Sequence, residues 1–305
     1  LLFRSNHIFY HVVAYSPLNA PWTGWLFYAA VHFQPTNPQW DNFSTLNRYI
    51  ATCQSFLQSS KADNDVLQYF PIFDSYAKKG RALLNHYDGM KGFEGTAFQQ
   101  HANWMMNNGY SFDFISDRQI QNLSFNNGKI NSAGGAYQTI LLSAVNHIPE
   151  QTLEKILALA KSGADILVYG HLPETVPGFG RLAERQKSLQ SLITSLHFSE
   201  TKRGVREATI GKGKVILADD LATLLSAGNT RRESISDNTS LQFIRRKSNN
   251  SVYYFIDNRG NTAFNGWINI QDKGANSFAL FNPMNHKSGL AMIKGTQDNR
   301  QVYLQ

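Results

Sequence analysis

Residues 140–169, ILLSAVNHIPEQTLEKILALAKSGADILVY, decide the fold of this chain. Residues 140–143 and 166–169 are short apolar runs, which are typical of buried strands. Residues 149–161 lie between them and begin with proline and glutamate, as many helices do. Apolar residues recur there at helical spacing, at Leu153, Ile156, Leu157 and Ala160. A strand, a helix and a second strand form a βαβ unit, which predicts a parallel sheet with both faces covered.

The alternation of strand-like and helix-like runs extends over residues 63–225. Further strand candidates are the apolar runs at 65–74, 112–115 and 215–218. We therefore expect residues 63–225 to form a flavodoxin-like parallel α/β domain.

Residues 1–62 have a different character. The apolar residues 8–10, flanked by His7 and His11, predict a buried strand with a polar end. Residues 14–41 are rich in proline and tryptophan, which indicates a long loop packed with aromatic rings.

A helix is predicted after that loop. Its apolar positions are Phe43, Leu46, Ile50, Cys53 and Leu57. Asp41 or Ser44 is expected to cap its start, since both side chains can accept a hydrogen bond from a free backbone N–H.

Residues 236–305 change to short alternating runs. These runs are 241–244, 252–256, 264–270 and 278–281. Asn-Asn, Asn-Arg-Gly and Asp-Lys-Gly turns separate them, so the region predicts the start of an incomplete β-sandwich. Residues 301–305 alternate like the middle of a strand, and the chain begins with leucine rather than methionine. We therefore expect an internal fragment of a longer protein.

Composition excludes several classes of protein. Only 17% of residues are charged and 42% are apolar, which is typical of a globular chain. The net charge of +7 comes from scattered clusters: Lys78, Lys79 and Arg81; Arg231 and Arg232; Arg245, Arg246 and Lys247. Ordinary solvated faces explain them better than a nucleic-acid partner does, because no recognisable nucleic-acid module surrounds them.

Cysteine content and hydropathy narrow the range further. The single Cys53 excludes an internal disulfide framework, and no Cys/His spacing suggests a structural zinc site. No apolar stretch approaches the ~20 residues of a membrane-spanning helix.

The densest group of polar and aromatic residues lies near the amino terminus. Its candidate substrate-binding residues are Asn6, His7, His11, Tyr15, Trp22, Trp25 and His32. Sugars present apolar C–H faces and rings of hydroxyl groups, so their sites combine flat aromatic rings with aimed hydrogen-bonding groups. For any one of these residues, packing within the loop is the alternative. A metal site at His7 and His11 is a weaker alternative, since four residues is a helical spacing.

Glycosidases mostly need two carboxyl groups. Asp41 is the only acid among the first 60 residues, so at least one catalytic carboxyl group is expected upstream of Leu1. Asp63, Asp65 and Asp74 are the next acids, and capping or solvent-exposed positions at strand ends are favoured for Asp65 and Asp74.

Residues 63–225 lack the motifs of two common α/β enzymes. The glycine-rich turn of a dinucleotide fold does not follow the first strand. A glutamine amidotransferase needs a nucleophilic cysteine at a strand-to-helix turn, but residues 169–173, YGHLP, contain none. This region is therefore interpreted as a structural or assembly domain.

Several segments together resemble glycoside hydrolase family 106, the α-L-rhamnosidases. They are NHIFYH at 6–11, PWTGW at 21–25, residues 47–57, DVLQYFP at 65–71 and GYSFDFI at 109–115. The resemblance implies that residues 1–62 end a (β/α) barrel, and that an amidotransferase-like α/β domain and β-sandwich domains follow. It places Asn6, His7 and His11 at the end of a late barrel strand, where barrel active sites are built.

The family is also expected to invert configuration with two glutamates and calcium. Residues 1–62 hold no glutamate, and Gln34 is the nearest related residue. The resemblance thus implies hydrolysis of an oligosaccharide or polysaccharide by the parent protein, calcium in the parent rather than a cofactor in this fragment, and a periplasmic or extracellular location. The alternative is a non-catalytic carbohydrate-binding or assembly protein that derives from such a hydrolase.

Overall fold

The computed structural model describes residues 7–11, 17–21, 24, 34–35, 37–78, 92–272, 274–296 and 299–305. Its helices are α1 (Trp40–Gln58), α2 (Ile72–Tyr76), α3 (Ala97–Asn107), α4 (Asp117–Ile120), α5 (Glu150–Ser162), α6 (Leu182–Thr194) and α7 (Leu221–Ala227). A short 3-10 helix spans Ser234–Asp237.

The strands form five sheets within the described residues. The strands up to residue 218 are β1 (Lys61–Ala62), β2 (Val66–Tyr69), β3 (Phe112–Ile115), β4 (Ser124–Asn126), β5 (Lys129–Asn131), β6 (Ala136–Tyr137), β7 (Thr139–Ser143), β8 (Asp165–Tyr169), β9 (Ser199–Lys202), β10 (Val205–Ile210) and β11 (Gly213–Ala218). The later strands are β12 (Leu241–Lys247), β13 (Val252–Asn258), β14 (Gly266–Ile270), β15 (Ala279–Asn282), β16 (Lys287–Leu290), β17 (Ile293–Lys294) and β18 (Arg300–Leu304).

The largest sheet has seven strands in the order β3-β2-β7-β8-β11-β10-β9. Strands β3, β2, β7, β8 and β11 pair in parallel, and β10 and β9 continue the sheet antiparallel. The parallel strands follow the spatial order 2-1-3-4-5, which is that of flavodoxin-like sheets. Apolar cores cover both faces, with Ile140 and Leu142 in one core and Leu141 in the other. The mixed α/β fold with a parallel sheet is therefore confirmed.

The βαβ unit of residues 140–169 folds as its sequence predicts. All five residues of β7 are buried, as expected of a central parallel strand. The predicted apolar face of α5 is also buried, and Gly163 follows the helix with φ of 125°. The observed bounds of α5 differ from the predicted 149–161 by one residue at each end.

The predicted strand at 65–74 is wrong beyond residue 69. The strand ends at Tyr69, and Pro71 precedes helix α2, which begins at Ile72. Proline favours the start of a helix, because its fixed φ suits the first turn and its missing N–H costs nothing there. The last part of this apolar run is therefore helical.

Helix α1 confirms the predicted apolar face only in part. Ile50, Cys53 and Leu57 are buried, whereas Leu46 is exposed. The predicted caps are wrong: the helix begins at Trp40 after Gln39, without a side-chain cap. Asp41 lies in the first turn, where its charge faces the positive end of the helix dipole.

The predicted buried strand at 8–10 is wrong. Residues 7–11 have no strand conformation, and Phe9 is 85% exposed. A strand is held by hydrogen bonds to a neighbouring strand, and none of the described strands pairs with these residues.

The carboxyl-terminal residues form smaller antiparallel sheets. β12 and β13 make a hairpin, and β1, from the first predicted region, pairs with β12. β18 lies between β14 and β17, and β15 pairs with β16. Ile235, Leu241, Ile268, Ile270 and Val302 form a shared core. The barrel end, the incomplete β-sandwich and the boundaries 1–62, 63–225 and 236–305 remain predictions.

A glycine marks the contact between the large sheet and the carboxyl-terminal residues. Gly109 follows α3 with φ of +84°, and its carbonyl oxygen accepts a hydrogen bond of 2.8 Å from Glu233 N–H. A Cβ at this position would lie 2.0 Å from the Glu233 carbonyl oxygen. The backbones therefore approach too closely for any other residue.

We expect Gly109→Ala to destabilise the chain by about 3 kcal/mol or more, since backbone strain and overpacking add. Gly128→Ala is the matched control, because Gly128 also has positive φ, at +72°, but a Cβ there would meet no atom within 4 Å. The control should cost about 1–2 kcal/mol. Urea unfolding measures both, and equal losses would contradict the close approach.

Candidate functional site

The amino-terminal candidate site is described only in part. His7 and His11 lie on the surface, and the His7 ring stacks at 6.1 Å from that of Phe9. The other candidates lie outside the described residues: Asn6, Tyr15, Trp22, Trp25 and His32. The structure thus places two imidazoles in solvent-accessible positions and does not test whether the seven residues form one site.

A neighbouring residue holds this segment against α1. The Tyr10 hydroxyl donates a hydrogen bond of 2.6 Å to Asn47 Oδ1, and its ring packs edge-on against Phe43 at 5.0 Å. The sequence places Tyr10 only in an apolar run, and this pattern does not predict its contacts with α1. The contact holds Tyr10, which lies between His7 and His11 in the sequence, against α1.

A second candidate site lies at the carboxyl ends of β2 and β7. Parallel strands 1 and 3 of a flavodoxin-like sheet carry connections to opposite faces, and a crevice opens between them. Here a cleft of about 380 Å³ opens at that point. Its lining includes Pro71, Asp74, Phe98, Ser143 and His147.

Asp74, in helix α2, binds the loop that follows β7 at the edge of this cleft. Its carboxylate accepts hydrogen bonds from the backbone N–H groups of Asn146, at 3.0 Å, and His147, at 2.7 Å. It also lies 2.8 Å from Nδ1 of His147. The expectation of a solvent-exposed or capping role at a strand end is therefore wrong for Asp74, because the acid lies in α2 and holds the loop after β7.

A carboxylate that orients an imidazole is part of many nucleophilic enzymes, but a nucleophile is also needed. Ser143 is 2% exposed, and its Oγ accepts a hydrogen bond of 3.0 Å from Gln68 Nε2. Cys53 is buried in α1, away from any strand-to-helix turn, and burial raises the pKa of its thiol. The described residues thus give no support to amidotransferase chemistry.

Two buried polar residues beside the cleft were missed in the sequence. Gln68 sits in the middle of β2 and donates a second bond of 2.9 Å to the Phe98 carbonyl oxygen. His101 is 6% exposed and packs edge-on against Tyr169 at 4.2 Å. Burial lowers the pKa of His101 to about 4. The residues next to Gln68 and His101 in the sequence give no signal for these contacts, because the partners lie in other parts of the chain.

The most extensive polar cluster surrounds Arg245, whose side chain is 1% exposed. Its guanidinium contacts three carboxylates: Asp63 at 2.7 Å, Asp65 at 2.6 Å and Glu233 at 2.8 Å. Burial alone would lower the pKa of Arg245, but the adjacent carboxylates of Asp65 and Asp63 raise it. The guanidinium therefore stays charged.

Further donors complete this cluster. Glu233 Oε1 accepts a bond of 3.0 Å from the Tyr254 hydroxyl and lies 2.7 Å from Arg231. Arg246 donates to the Leu57 carbonyl oxygen at 2.7 Å. The predicted solvated face is thus wrong for Arg245, which is buried, whereas Arg231 and Arg246 are half-buried. The predicted exposed position of Asp65 is also wrong, because Arg245, which is distant in sequence, binds its carboxylate in the interior.

These contacts remove several acids from the list of catalytic candidates. A glycosidase holds its two carboxyl groups on either side of the scissile bond, so both must reach the sugar. Asp63 and Asp65 are bound to Arg245, and Asp74 is bound to the loop at His147. They are part of the folded framework rather than a carboxyl pair open to substrate.

Comparison with known proteins gives one family match. The profile of glycoside hydrolase family 106, described as alpha-L-rhamnosidase, matches residues 3–284. A curated protein of Formosa agariphila, named "Putative beta-glucuronidase", is 28% identical over 151 residues. That alignment covers 49% of this chain and 12% of the relative.

Two solved structures share the fold. A rhamnosidase from Novosphingobium sp. PP1Y matches with a TM-score of 0.66 and 20% identity, over 90% of this chain and 24% of that one. A beta-galactosidase from Bacillus circulans sp. alkalophilus matches with a TM-score of 0.51 and 9% identity, over 88% and 45% of the two chains. This chain therefore spans less than half of each relative's length.

We expect Arg245→Met to destabilise the chain by about 3–5 kcal/mol, since it leaves buried carboxylates without their cation. Arg181→Met is the matched control, because Arg181 faces Glu184 at 3.9 Å on the surface with 75% of its side chain exposed. That substitution should change stability by at most about 0.5 kcal/mol. Chemical denaturation measures both, and a small loss for Arg245→Met would show that the cluster is dispensable.

The lowered pKa of His101 predicts a loss of stability in acid. The pKa of His101 has its ordinary value of about 6.5 in the unfolded chain, whereas burial lowers the pKa to about 4 in the folded chain. The stability that neutral His101 contributes is thus fully present above pH 6.5. It decreases as the pH falls toward 4, and the free energy of unfolding drops by about 2 kcal/mol between pH 7 and pH 5.

Unfolding of wild type, His101→Leu and His197→Leu at pH 7 and pH 5 tests this prediction. Between pH 7 and pH 5, the free energy of unfolding of wild type should fall by about 2 kcal/mol more than that of His101→Leu. His197→Leu is the control, because His197 is exposed. A His101→Leu variant with the pH dependence of wild type would contradict the assignment.

Proposed function

This chain belongs to glycoside hydrolase family 106, the alpha-L-rhamnosidases, and we propose that it is part of a longer enzyme that hydrolyses O-glycosidic bonds in rhamnose-containing plant or microbial polysaccharide. The family match over residues 3–284 carries the proposal. The fold shared with a segment of the Novosphingobium rhamnosidase supports it.

The proposed contribution of the amino-terminal segment is to hold the sugar. Tryptophan rings offer flat apolar surfaces for C–H groups, and the imidazoles of His7 and His11 can hydrogen-bond hydroxyl groups. His7 and His11 lie at the surface, as this role requires. We propose that Asn6, Tyr15, Trp22, Trp25 and His32 complete the same subsite.

The two carboxyl groups are proposed to come from other parts of the longer protein. One would protonate the leaving oxygen, and the other would activate water for an inverting attack. The ion pairs of Asp63 and Asp65 and the hydrogen bonds of Asp74 support this division of roles, because they leave these acids unable to serve. The role of this chain is then to bind and orient the substrate.

Calcium is proposed only for the longer protein. Calcium takes six to eight oxygen ligands, usually with several carboxylates. Among the described residues no group of three or more His, Cys, Asp or Glu side chains could hold a metal ion. The three carboxylates around Arg245 already neutralise a guanidinium, so the described residues do not fit a calcium ion.

The size of a polymeric substrate limits the compartments in which the protein can act. A polysaccharide does not cross a lipid bilayer unaided, so a periplasmic or extracellular site of action is proposed. None of the described helices is long and apolar enough to span a membrane.

One observation favours a second candidate function. Asp63 and Asp65, two acids that follow the amino-terminal segment and α1 in the sequence, are held in ion pairs with Arg245, as expected if the protein binds sugar without cleaving it. A carbohydrate-binding or assembly protein derived from a rhamnosidase is therefore the alternative. It differs from the hydrolase in having no carboxyl pair elsewhere in the longer protein.

We expect the protein encoded by the complete reading frame to hydrolyse an aryl α-L-rhamnoside, and the isolated 305-residue chain not to. Aryl β-D-glucuronide is assayed in parallel, since the Formosa agariphila relative is named for that activity. Chelation of calcium should lower the rate for the longer protein. Sugar binding without turnover by the longer protein would favour the alternative, and turnover by the isolated chain would contradict the proposed location of the acids.

Substitution of His11 in the longer protein tests the proposed subsite. His11→Ala should raise KM for the rhamnoside by roughly fivefold to tenfold, because one hydrogen bond to the sugar is lost. His197→Ala is the control, since His197 is also exposed but lies between α6 and β9. An unchanged KM for His11→Ala would exclude this residue from the subsite.

A further inference from the structure

One face of the β14–β18–β17 sheet carries a group of aromatic and amide side chains. Trp267 lies opposite Tyr303, and Asn269 lies opposite Gln301. Side chains alternate between the two faces of a strand, so these four share one face. The other face is buried in the core through Ile268, Ile270 and Val302.

The aromatic pair forms a platform at the surface. The centroids of Trp267 and Tyr303 lie 5.2 Å apart with the rings tilted by 59°. Trp267 is 37% exposed, although the same sheet buries three aliphatic residues on its other side. The exposed parts of the two tilted rings offer apolar area to the C–H groups of a sugar.

The amide pair supplies hydrogen-bonding groups next to the platform. Gln301 Nε2 donates a bond of 2.7 Å to Asn269 Oδ1, which holds the two amides in place. Each amide has two donor hydrogens and an acceptor oxygen, so the pair keeps hydrogen-bonding capacity beyond this one bond. Such groups suit the hydroxyl groups that surround a sugar ring.

A cation gives the face its charge. Lys294 lies opposite Gln301 in β17, and its Nζ is 4.2 Å from the centroid of the Trp267 ring. The three strands contain no aspartate or glutamate. The ammonium group lies over one face of the Trp267 ring, so a sugar would pack on the rest of the aromatic pair with its carboxylate toward Lys294.

From these contacts we propose that this surface, the Trp267 face, binds an acidic oligosaccharide, with Trp267 and Tyr303 under a sugar ring and Lys294 at its carboxylate. The inference rests on the proposed function, because a polysaccharide hydrolase gains from a second contact with its polymeric substrate. A link between two binding sites raises the effective concentration of substrate at the first site.

The test is titration of the 305-residue chain with hexagalacturonate, and with a neutral glucose hexasaccharide, by isothermal calorimetry. Hexagalacturonate should bind, and its affinity should fall as salt rises, because screening weakens the contact with Lys294. Trp267→Ala should weaken binding at least about tenfold. Lys294→Gln should lower the affinity for the acidic ligand about fivefold and change the affinity for the neutral ligand by no more than about twofold.

Two controls keep the test independent of folding. Phe179→Ala removes an aromatic ring that is 93% exposed outside the Trp267 face, and should leave binding unchanged. Trp267→Phe retains a ring and should bind with intermediate affinity. A cross-strand aromatic pair also stabilises a sheet by about 0.2–1 kcal/mol, so melting temperatures of all variants are compared.

The inference is overturned if the chain does not bind hexagalacturonate, or if folded Trp267→Ala binds as wild type does. The proposed preference for an acidic ligand is overturned if the chain binds the neutral hexasaccharide as tightly as hexagalacturonate and Lys294→Gln changes neither affinity. Binding is measured without turnover, so its outcome is separate from the rhamnosidase assay. Binding with no hydrolysis by the longer protein would support the Trp267 face while removing the proposed hydrolase.

Discussion

A guanidinium removed from water needs acceptors on every side, and that requirement at Arg245 determines how three segments of the chain meet. Asp63 and Asp65 precede β2, Glu233 precedes the 3-10 helix, and Arg245 itself lies in β12. The charged group binds the first strand of the parallel sheet to the hairpin that follows the sheet. The close approach of Gly109 to Glu233 lies at the same junction, so charge and backbone packing fix one arrangement.

The parallel sheet imposes the second constraint. Because β2 and β7 are neighbours with connections on opposite faces, a cleft forms at their carboxyl ends regardless of its use. Asp74 closes part of that cleft by binding the loop at His147. The cleft is therefore best understood as a consequence of topology. The proposed substrate-binding site remains the amino-terminal aromatic segment rather than this cleft.

The sequence predicts the helices and strands whose signals come from residues close together along the chain. Helix α5 and strand β7 were predicted because burial repeats with a regular period there, and Pro149 and Gly163 mark the ends of the helix. The Arg245 cluster could not be predicted, because Asp65 lies 180 residues away and a basic triplet usually faces solvent. The Trp267 face could not be predicted from the sequence for the same reason. Its aromatic pair is visible only once β14 and β18 are known to be partners.

The central claim is that sugar binds at the amino-terminal segment, with the carboxyl groups supplied by residues outside this chain. A crystal structure of the longer protein with bound L-rhamnose tests it most directly. The account predicts rhamnose in contact with Trp22 or Trp25 and His11, between two carboxyl groups that lie outside residues 1–305. Rhamnose bound instead in the cleft beside Asp74 and His147, with the amino-terminal segment empty, would contradict it.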